Sequence, residues 1–209
     1  IEEFHNYWSG HHAELVTKML SKRRYVQCHT THSAYGRTEE PAYDGVAMSW
    51  FEDTKIIKEL SETPEYKAVR ADESNFIDLK TINFIYAQEH IVKDGPIPEN
   101  GLKVIICIKR KPGMDVIDFQ KYWRDVHAPL GAKIPGSRRY VQNHTWLNYY
   151  QSGGDPIYDG VVESWFDNRN TLRKALNSPE HIIDQEDATN FIDVTNTPFL
   201  ITKEIVITP

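Results

Sequence analysis

From residue 102 onward the apolar and polar positions switch between two periods. Leu102-Lys103-Val104-Ile105-Ile106-Cys107-Ile108 is rich in β-branched residues and reads as a buried strand. Lys111-Pro112-Gly113 ends it, and Asp115 is placed to cap a helix. Phe119, Trp123, Val126 and Leu130 then recur at steps of four, three and four, the pattern of one buried face of an amphipathic helix. After Pro135-Gly136 the period drops to two. On an extended segment Arg138, Tyr140, Gln142, His144 and Trp146 share one face, and Arg139, Val141, Asn143 and Thr145 the other. Ser152-Gly153-Gly154-Asp155-Pro156 is turn chemistry. Tyr158 to Phe166 predicts a third strand, a second helix starts near Asn168 and runs on through Ser178-Pro179, and a last strand runs from about Phe199 to Ile207. The order strand, helix, strand, strand, helix, strand predicts an α+β, ferredoxin-like (βαββαβ) domain with an antiparallel sheet and both helices on one face.

The same wording stands earlier in the chain. Arg23-Arg24-Tyr25-Val26-Gln27-Cys28-His29-Thr30 returns as Arg138-Arg139-Tyr140-Val141-Gln142-Asn143-His144-Thr145, Tyr43-Asp44-Gly45-Val46 as Tyr158-Asp159-Gly160-Val161, and Asn75-Phe76-Ile77-Asp78 as Asn190-Phe191-Ile192-Asp193. Arg138 against Arg23 sets a register of 115 residues that does not drift, so the chain holds two copies of one domain and not a solenoid repeat. Residues 1–93 form the first repeat, 94–101 a polar, proline-rich linker, and 102–209 the second repeat. In the first copy Phe4, Trp8, His11 and Leu15 stand where Phe119, Trp123, Val126 and Leu130 stand in the second. The first repeat's opening strand lies outside the sequence: it was cut off or disordered, or a strand from elsewhere fills its place. A sheet covered on one face must bury the other, and the second copy is the nearest partner. Two sheets face to face in a pseudo-dimeric α/β barrel are therefore expected, with a further homodimer open.

Composition narrows the class. The chain of 209 residues is 40% hydrophobic and 26% charged, as in ordinary globular domains. A net charge of −6 with scattered basic residues argues against a nucleic-acid partner. No apolar run reaches the ~18 residues of a membrane span, and no signal-peptide pattern is present. Only Cys28 and Cys107 occur, at unmatched positions of the two copies, so a disulfide framework is not indicated and a cytoplasmic setting is expected.

Phe119-Gln120-Lys121-Tyr122-Trp123 followed by His127-Ala128-Pro129-Leu130, then Arg139-Tyr140-Val141-Gln142-Asn143, Tyr158-Asp159-Gly160-Val161 and Trp165-Phe166, resembles the EthD family of the dimeric α/β-barrel superfamily. The resemblance implies ferredoxin-like repeats. It also implies a place among small-molecule enzymes, since similar domains occur in cofactor-free decarboxylases, dehydratases and cyclases of aromatic polyketide pathways and in methylmuconolactone isomerases, while more distant barrels bind haem. In the isomerase branch a helix histidine and a tyrosine on the following strand are active-site residues, and His127 and Tyr140 fall at those places. A partly desolvated imidazole stays neutral and can act as a base near pH 7, and a phenol can donate a hydrogen bond to an enolate. His12 and Tyr25 are the first-repeat counterparts. Substrate contacts are expected from Arg139 as a carboxylate anchor, from His144 and His29 further along the strand, from the aromatic walls Trp165 and Trp50, and from Asp159, although Asp-Gly more often sets a turn or bulge.

The copies also differ. Glu163 is Met48 in the first repeat, Asn143 is Cys28, and Pro129 is Glu14. A carboxylate at 163 near His127 would orient the imidazole, so the second repeat is expected to carry the better site. His5, His11 and His12 crowd one helix without metal-ligand spacing, and no Rossmann, P-loop or nucleophile-elbow motif occurs. The expectation is a cofactor-independent lyase or isomerase that moves a proton on an aromatic, polyketide-like or lactone substrate. The alternatives are a non-catalytic accessory or ligand-binding protein of an oxygenase pathway, and a haem-dependent enzyme.

Overall fold

In the computed structural model residues 1–20, 23–36 and 38–209 are described, Thr54 by its backbone alone. The chain forms two compact units, residues 1–83 with 203–209, and residues 84–202. The strand that closes the first repeat is therefore counted with the second unit, and the strand that closes the second repeat is divided between the two.

In the first unit α1 (Glu2–Tyr7), a π-helical turn (Trp8–His12) and α2 (Ala13–Leu20) make one long helix. It is followed by β1 (Tyr25–Thr30), β2 (Gly45–Ser49), α3 (Thr54–Ser61) and α4 (Pro64–Glu73). Asp53 caps α3 by accepting from the Lys55 N–H at 2.7 Å, and Thr63 caps α4, with Pro64 at the first helical position where no N–H is needed. β1 pairs antiparallel with β2 and on its other side adjoins the strand that includes residues 203–208. Ala13, Val16, Leu20, Tyr25 and Val69 form the core, with Ile207 packed against it.

The second unit contains β3 (Ala87–Lys93), β4 (Leu102–Ile108), α5 (Val116–Tyr122), a second π-helical turn (Trp123–His127), α6 (Ala128–Gly131) and β5 (Ser137–Thr145). The short α7 (Leu147–Gln151), β6 (Gly160–Phe166), α8 (Arg169–Leu176), α9 (Pro179–Ala188) and β7 (Phe199–Thr208) complete the chain order. Its sheet runs β7-β4-β6-β5-β3, antiparallel throughout, with β3 from the first repeat's wording on the edge beside β5. The expected α+β, ferredoxin-like order is what this unit shows. The expected second helix is present as two, because Ser178-Pro179 restarts it with a fresh cap.

Register sorts the sheet's side chains into two faces. Lys103 pairs with Trp165, Ile105 with Glu163 and Cys107 with Val161, while Arg139 pairs with Trp165 and Val141 with Glu163. These residues share one face. The other carries Val104, Ile106, Ile108, Val162, Tyr140, Gln142 and His144. On that face Ile108, Phe119, Trp123 and Phe191 form a core with Val162, and Leu102, Val104, Phe166, Leu172 and Ala175 form another. Burying each large ring contributes about 1.5–3 kcal/mol, which is how the helices are held on this face.

The π-helical turns decide which helical side chains point inward. The Ala128 N–H bonds to the Trp123 carbonyl, five residues back, and the Ala13 N–H reaches the Trp8 carbonyl likewise. The wide turn adds one residue, so the inward positions after Trp123 are His127, Ala128 and Gly131. Val126, expected to be buried, is 46% exposed. His11, expected to be inward in the first repeat, has a 58% exposed side chain, and His12 takes its place.

Candidate active site

His127, 7% exposed, stands at the end of the second π-helical turn against α9. Its Nδ1 lies 2.9 Å from Asp187 Oδ2 and its Nε2 lies 3.3 Å from Asp184 Oδ1. Asp184 and Asp187 are three apart on α9, so both carboxylates face the same helix neighbour. The Tyr122 hydroxyl donates to Asp187 Oδ1 at 2.7 Å, and Asn190 Nδ2 reaches the same oxygen at 3.3 Å. Phe191 covers the imidazole, with ring centroids 4.7 Å apart.

The two carboxyls are driven in opposite directions. Burial raises the Asp187 pKa, but hydrogen bonds from Tyr122 and His127 outweigh it and hold the group below the usual carboxylate range. Burial raises Asp184, and the neighbouring His127 and His181 only partly offset it, so it keeps its proton to higher pH than an ordinary aspartate. Asp187 thus holds the imidazole through Nδ1, and Asp184 faces Nε2.

Tyr140 reaches this group through Gly131. A Cβ built on Gly131 would lie 2.9 Å from Tyr140 Cε1 and 3.2 Å from Asp184 Oδ1. The Tyr140 oxygen accepts from Gln142 Nε2 at 2.8 Å and from the Trp123 side chain, and burial holds the phenol protonated well above its ordinary range. Gln142 Nε2 also donates to the Trp123 carbonyl at 3.1 Å, which supports the π-helical turn.

The other expected site residues lie elsewhere. Glu163 is on the sheet face away from the helices, where Lys103 Nζ stands 2.5 Å from it and Asn143 donates at 2.6 Å, so it is not the carboxylate that orients His127. Trp165 is on the same face, with Lys103 Nζ 4.5 Å above its ring. Arg139 also faces that side and pairs with Asp94. Arg24 in the first unit stacks over Trp50. Asp159 is fully buried and accepts from the Arg110 N–H at 2.8 Å, the Arg110 guanidinium and the Tyr150 hydroxyl at 2.6 Å, which ties the turn before β6 to the strand end. Its neighbour Gly160 is glycine because a Cβ there would overlap the Trp123 ring. His144 stacks on Trp123 at 4.2 Å and bonds through Nε2 to Gln142 Oε1 at 3.0 Å; burial brings its pKa down to about 3. His29 repeats this against Trp8 and Gln27, with a pKa lowered by burial to about 4.

The first unit keeps half of the arrangement. His12 Nδ1 lies 2.8 Å from Asp72 Oδ2, Tyr7 donates to Asp72 Oδ1 at 2.6 Å, and Asn75 donates to that oxygen at 3.1 Å. Burial lowers the His12 pKa and hydrogen bonds from Tyr7 and His12 outweigh burial to lower that of Asp72. Tyr25 accepts from Gln27 as Tyr140 does from Gln142, and burial raises it to about 12. At the register of 115, however, Val69 stands for Asp184, Val16 for Gly131 and Tyr66 for His181. Val16 and Val69 are core residues packed with Tyr25. The anchoring aspartates were legible as identities between the copies, like the Asn75 and Asn190 beside them. Asp184 was legible only as a difference, and only the placement of α9 gives it meaning.

An EthD-domain family model matches residues 1–80 and 111–195, one segment in each repeat. The chain belongs to the EthD family. No curated protein matches the sequence. Among solved structures, an anthrone oxidase-like protein is 10% identical over 96% of this chain and 88% of its own, with a TM-score of 0.61. A candidate monooxygenase from Lactobacillus acidophilus NCFM is 9% identical over 97% of this chain and 90% of its own, with a TM-score of 0.57. An ethyl tert-butyl ether degradation (EthD) family protein from Bacillus halodurans C-125 is 23% identical over 50% of this chain and 99% of its own, with a TM-score of 0.41. The first two likenesses are likenesses of fold. Among the described residues no helix is long and apolar enough to cross a membrane, and no group of three His, Cys, Asp or Glu has metal-holding geometry.

Proposed function

We propose that this EthD chain is a small-molecule enzyme of the lyase or isomerase type, working in catabolism or secondary metabolism, whose second repeat transfers protons on a flat aromatic, polyketide-like or lactone substrate. The observation that carries the reading is the His127 ring set between Asp187 Oδ2 at 2.9 Å and Asp184 Oδ1 at 3.3 Å. The base is then Asp184, with His127 behind it and Asp187 holding the imidazole. Ionised Asp184 takes a proton from a carbon beside a carbonyl, and the electron pair of the broken C–H bond moves into the carbonyl to give an enolate. Tyr140, whose oxygen already accepts from Gln142 and Trp123, has its own proton to donate to that oxygen. Asp184 returns the proton to another carbon in an isomerisation, or to a hydroxyl group that leaves as water in a dehydration. Phe191, whose ring packs on His127, and Tyr122 beside it supply aromatic surface of the kind a planar substrate would meet.

The reading needs no haem. Both ring nitrogens of His127 face carboxylates and His144 Nε2 faces Gln142, so no step of the reading runs through one. An oxygenase outcome begins with the same deprotonation: dioxygen, the oxidant, adds to the carbanion, the resulting peroxide takes up the proton, and its O–O bond breaks with loss of water to leave a new carbonyl; the names of two structural neighbours favour it as the second reading.

The test is proton exchange on a carbon acid of this class, the α-protons of 2-tetralone in D2O followed by NMR. The chain should accelerate exchange, and Asp184→Asn or His127→Ala should each cost about 10²-fold. Exchange at the uncatalysed rate, or variants within a factor of two of the parent, would leave the accessory ligand-binding reading standing instead.

A further inference from the structure

We infer that the site selects substrates by charge, taking neutral carbonyl or phenolic molecules and rejecting carboxylates. The inference rests on the proposed function only for the location of the site, and its measurement is separate from turnover. The second repeat brings two aspartates within hydrogen-bond distance of one imidazole, so the titratable groups gathered there are Asp184, Asp187, His127 and, one turn along α9, His181. The arginines that could anchor a substrate carboxylate are committed to other acids. Arg138 forms a two-pronged pair with Asp167 at 2.7–3.1 Å, Arg139 pairs with Asp94, and Arg124 pairs with Asp125 at 2.8 and 3.2 Å. Lys103 is held by Glu163 on the opposite face of the sheet.

An anion entering beside Asp184 would meet like charge in a partly dry setting, where repulsion is weakly screened. A neutral hydroxyl, by contrast, can donate to the Asp184 carboxylate, and a neutral carbonyl oxygen can accept from Tyr140. The charge is particular to this copy, because Val69, Val16 and Tyr66 occupy the matching places in the first repeat. That makes the exclusion of anions a property of the second-repeat site and not of the fold.

Matched probes separate the possibilities: 2-naphthol, neutral at pH 7, and 2-naphthoate, the same ring system as an anion. Calorimetric titration of the full chain at low salt should show 2-naphthol binding at least about tenfold more tightly. Asp184→Asn should close that gap to about threefold or less by admitting the anion. On the unaltered chain, raising salt from about 20 to 500 mM should narrow it as well, since like-charge repulsion is screened. Equal or tighter binding of 2-naphthoate would overturn the inference, as would a preference unchanged in Asp184→Asn and in high salt, or no binding of either probe at millimolar concentration. If the charge preference fails while Asp184→Asn still abolishes exchange of 2-tetralone, the inference falls and the proton-transfer reading stays. The reverse result removes the chemistry and keeps the selectivity.

Discussion

The residue that separates the two copies most sharply is the smallest. Gly131 lets the Tyr140 ring and the Asp184 carboxylate come together, and a Cβ there would stand 2.9 Å from the ring and 3.2 Å from the oxygen. In the first repeat Val16 fills that place and Val69 replaces the acid, so the core closes over Tyr25. Gly131→Val should therefore convert the second site into a likeness of the first. Proton exchange is expected to fall at least tenfold, with overpacking costing about 1–3 kcal/mol in urea unfolding. Exchange at the parent rate in a folded Gly131→Val chain would show that the space beside Tyr140 is not where chemistry occurs.

At the scale of elements, the π-helical turn shows why periodicity misplaced one side chain and located others. Phe119 and Trp123 are inward as the pattern requires, but the extra residue in the turn sends Val126 out and His127 in. The turn is supported from the sheet, because Gln142 gives one amide hydrogen to the Trp123 carbonyl and the other to the Tyr140 hydroxyl while accepting from His144. Gln27 does the same for Trp8, Tyr25 and His29. Gln142→Leu would leave buried polar atoms without partners, each costing about 1–3 kcal/mol, so a loss of roughly 3 kcal/mol or more is expected in the second unit. A urea midpoint unchanged in that variant would mean that the turn holds itself without the sheet.

For the whole molecule, acid is the informative stress. His29 and His144 are buried with pKa values lowered to about 4 and about 3, both by desolvation, from an ordinary 6.5. As pH falls below 6.5 the unfolded chain takes up protons that the folded units refuse. Each imidazole thus removes about 1.4 kcal/mol per pH unit, from the first unit down to about pH 4 and from the second to about pH 3. His5 and His12 add to the loss in the first unit, and His90 and His181 in the second, since burial lowers each of them. Glu73 and Asp184 oppose it, because burial raises their pKa and the folded state then binds the proton first. Asp72 and Asp187, held below the normal range, contribute only below about pH 4, where the unfolded carboxyls protonate. Urea midpoints followed by circular dichroism should fall steadily from pH 6.5 to 4.5, and a flat profile would contradict the neutral, buried state of these histidines.

The duplication, the α+β order and the inward Phe119 and Trp123 were determined by the sequence, because a repeated wording and a hydrophobic period are local properties. The partner of the histidine was not. Glu163 and Asp187 are both acids close to Asn or Trp in the chain, and only strand register sends the first to Lys103 on one face of the sheet while α9 delivers the second, with Asp184, to His127 on the other. Which carboxylate meets which imidazole depends on how two elements sixty residues apart pack together, and no pattern along the chain encodes that distance.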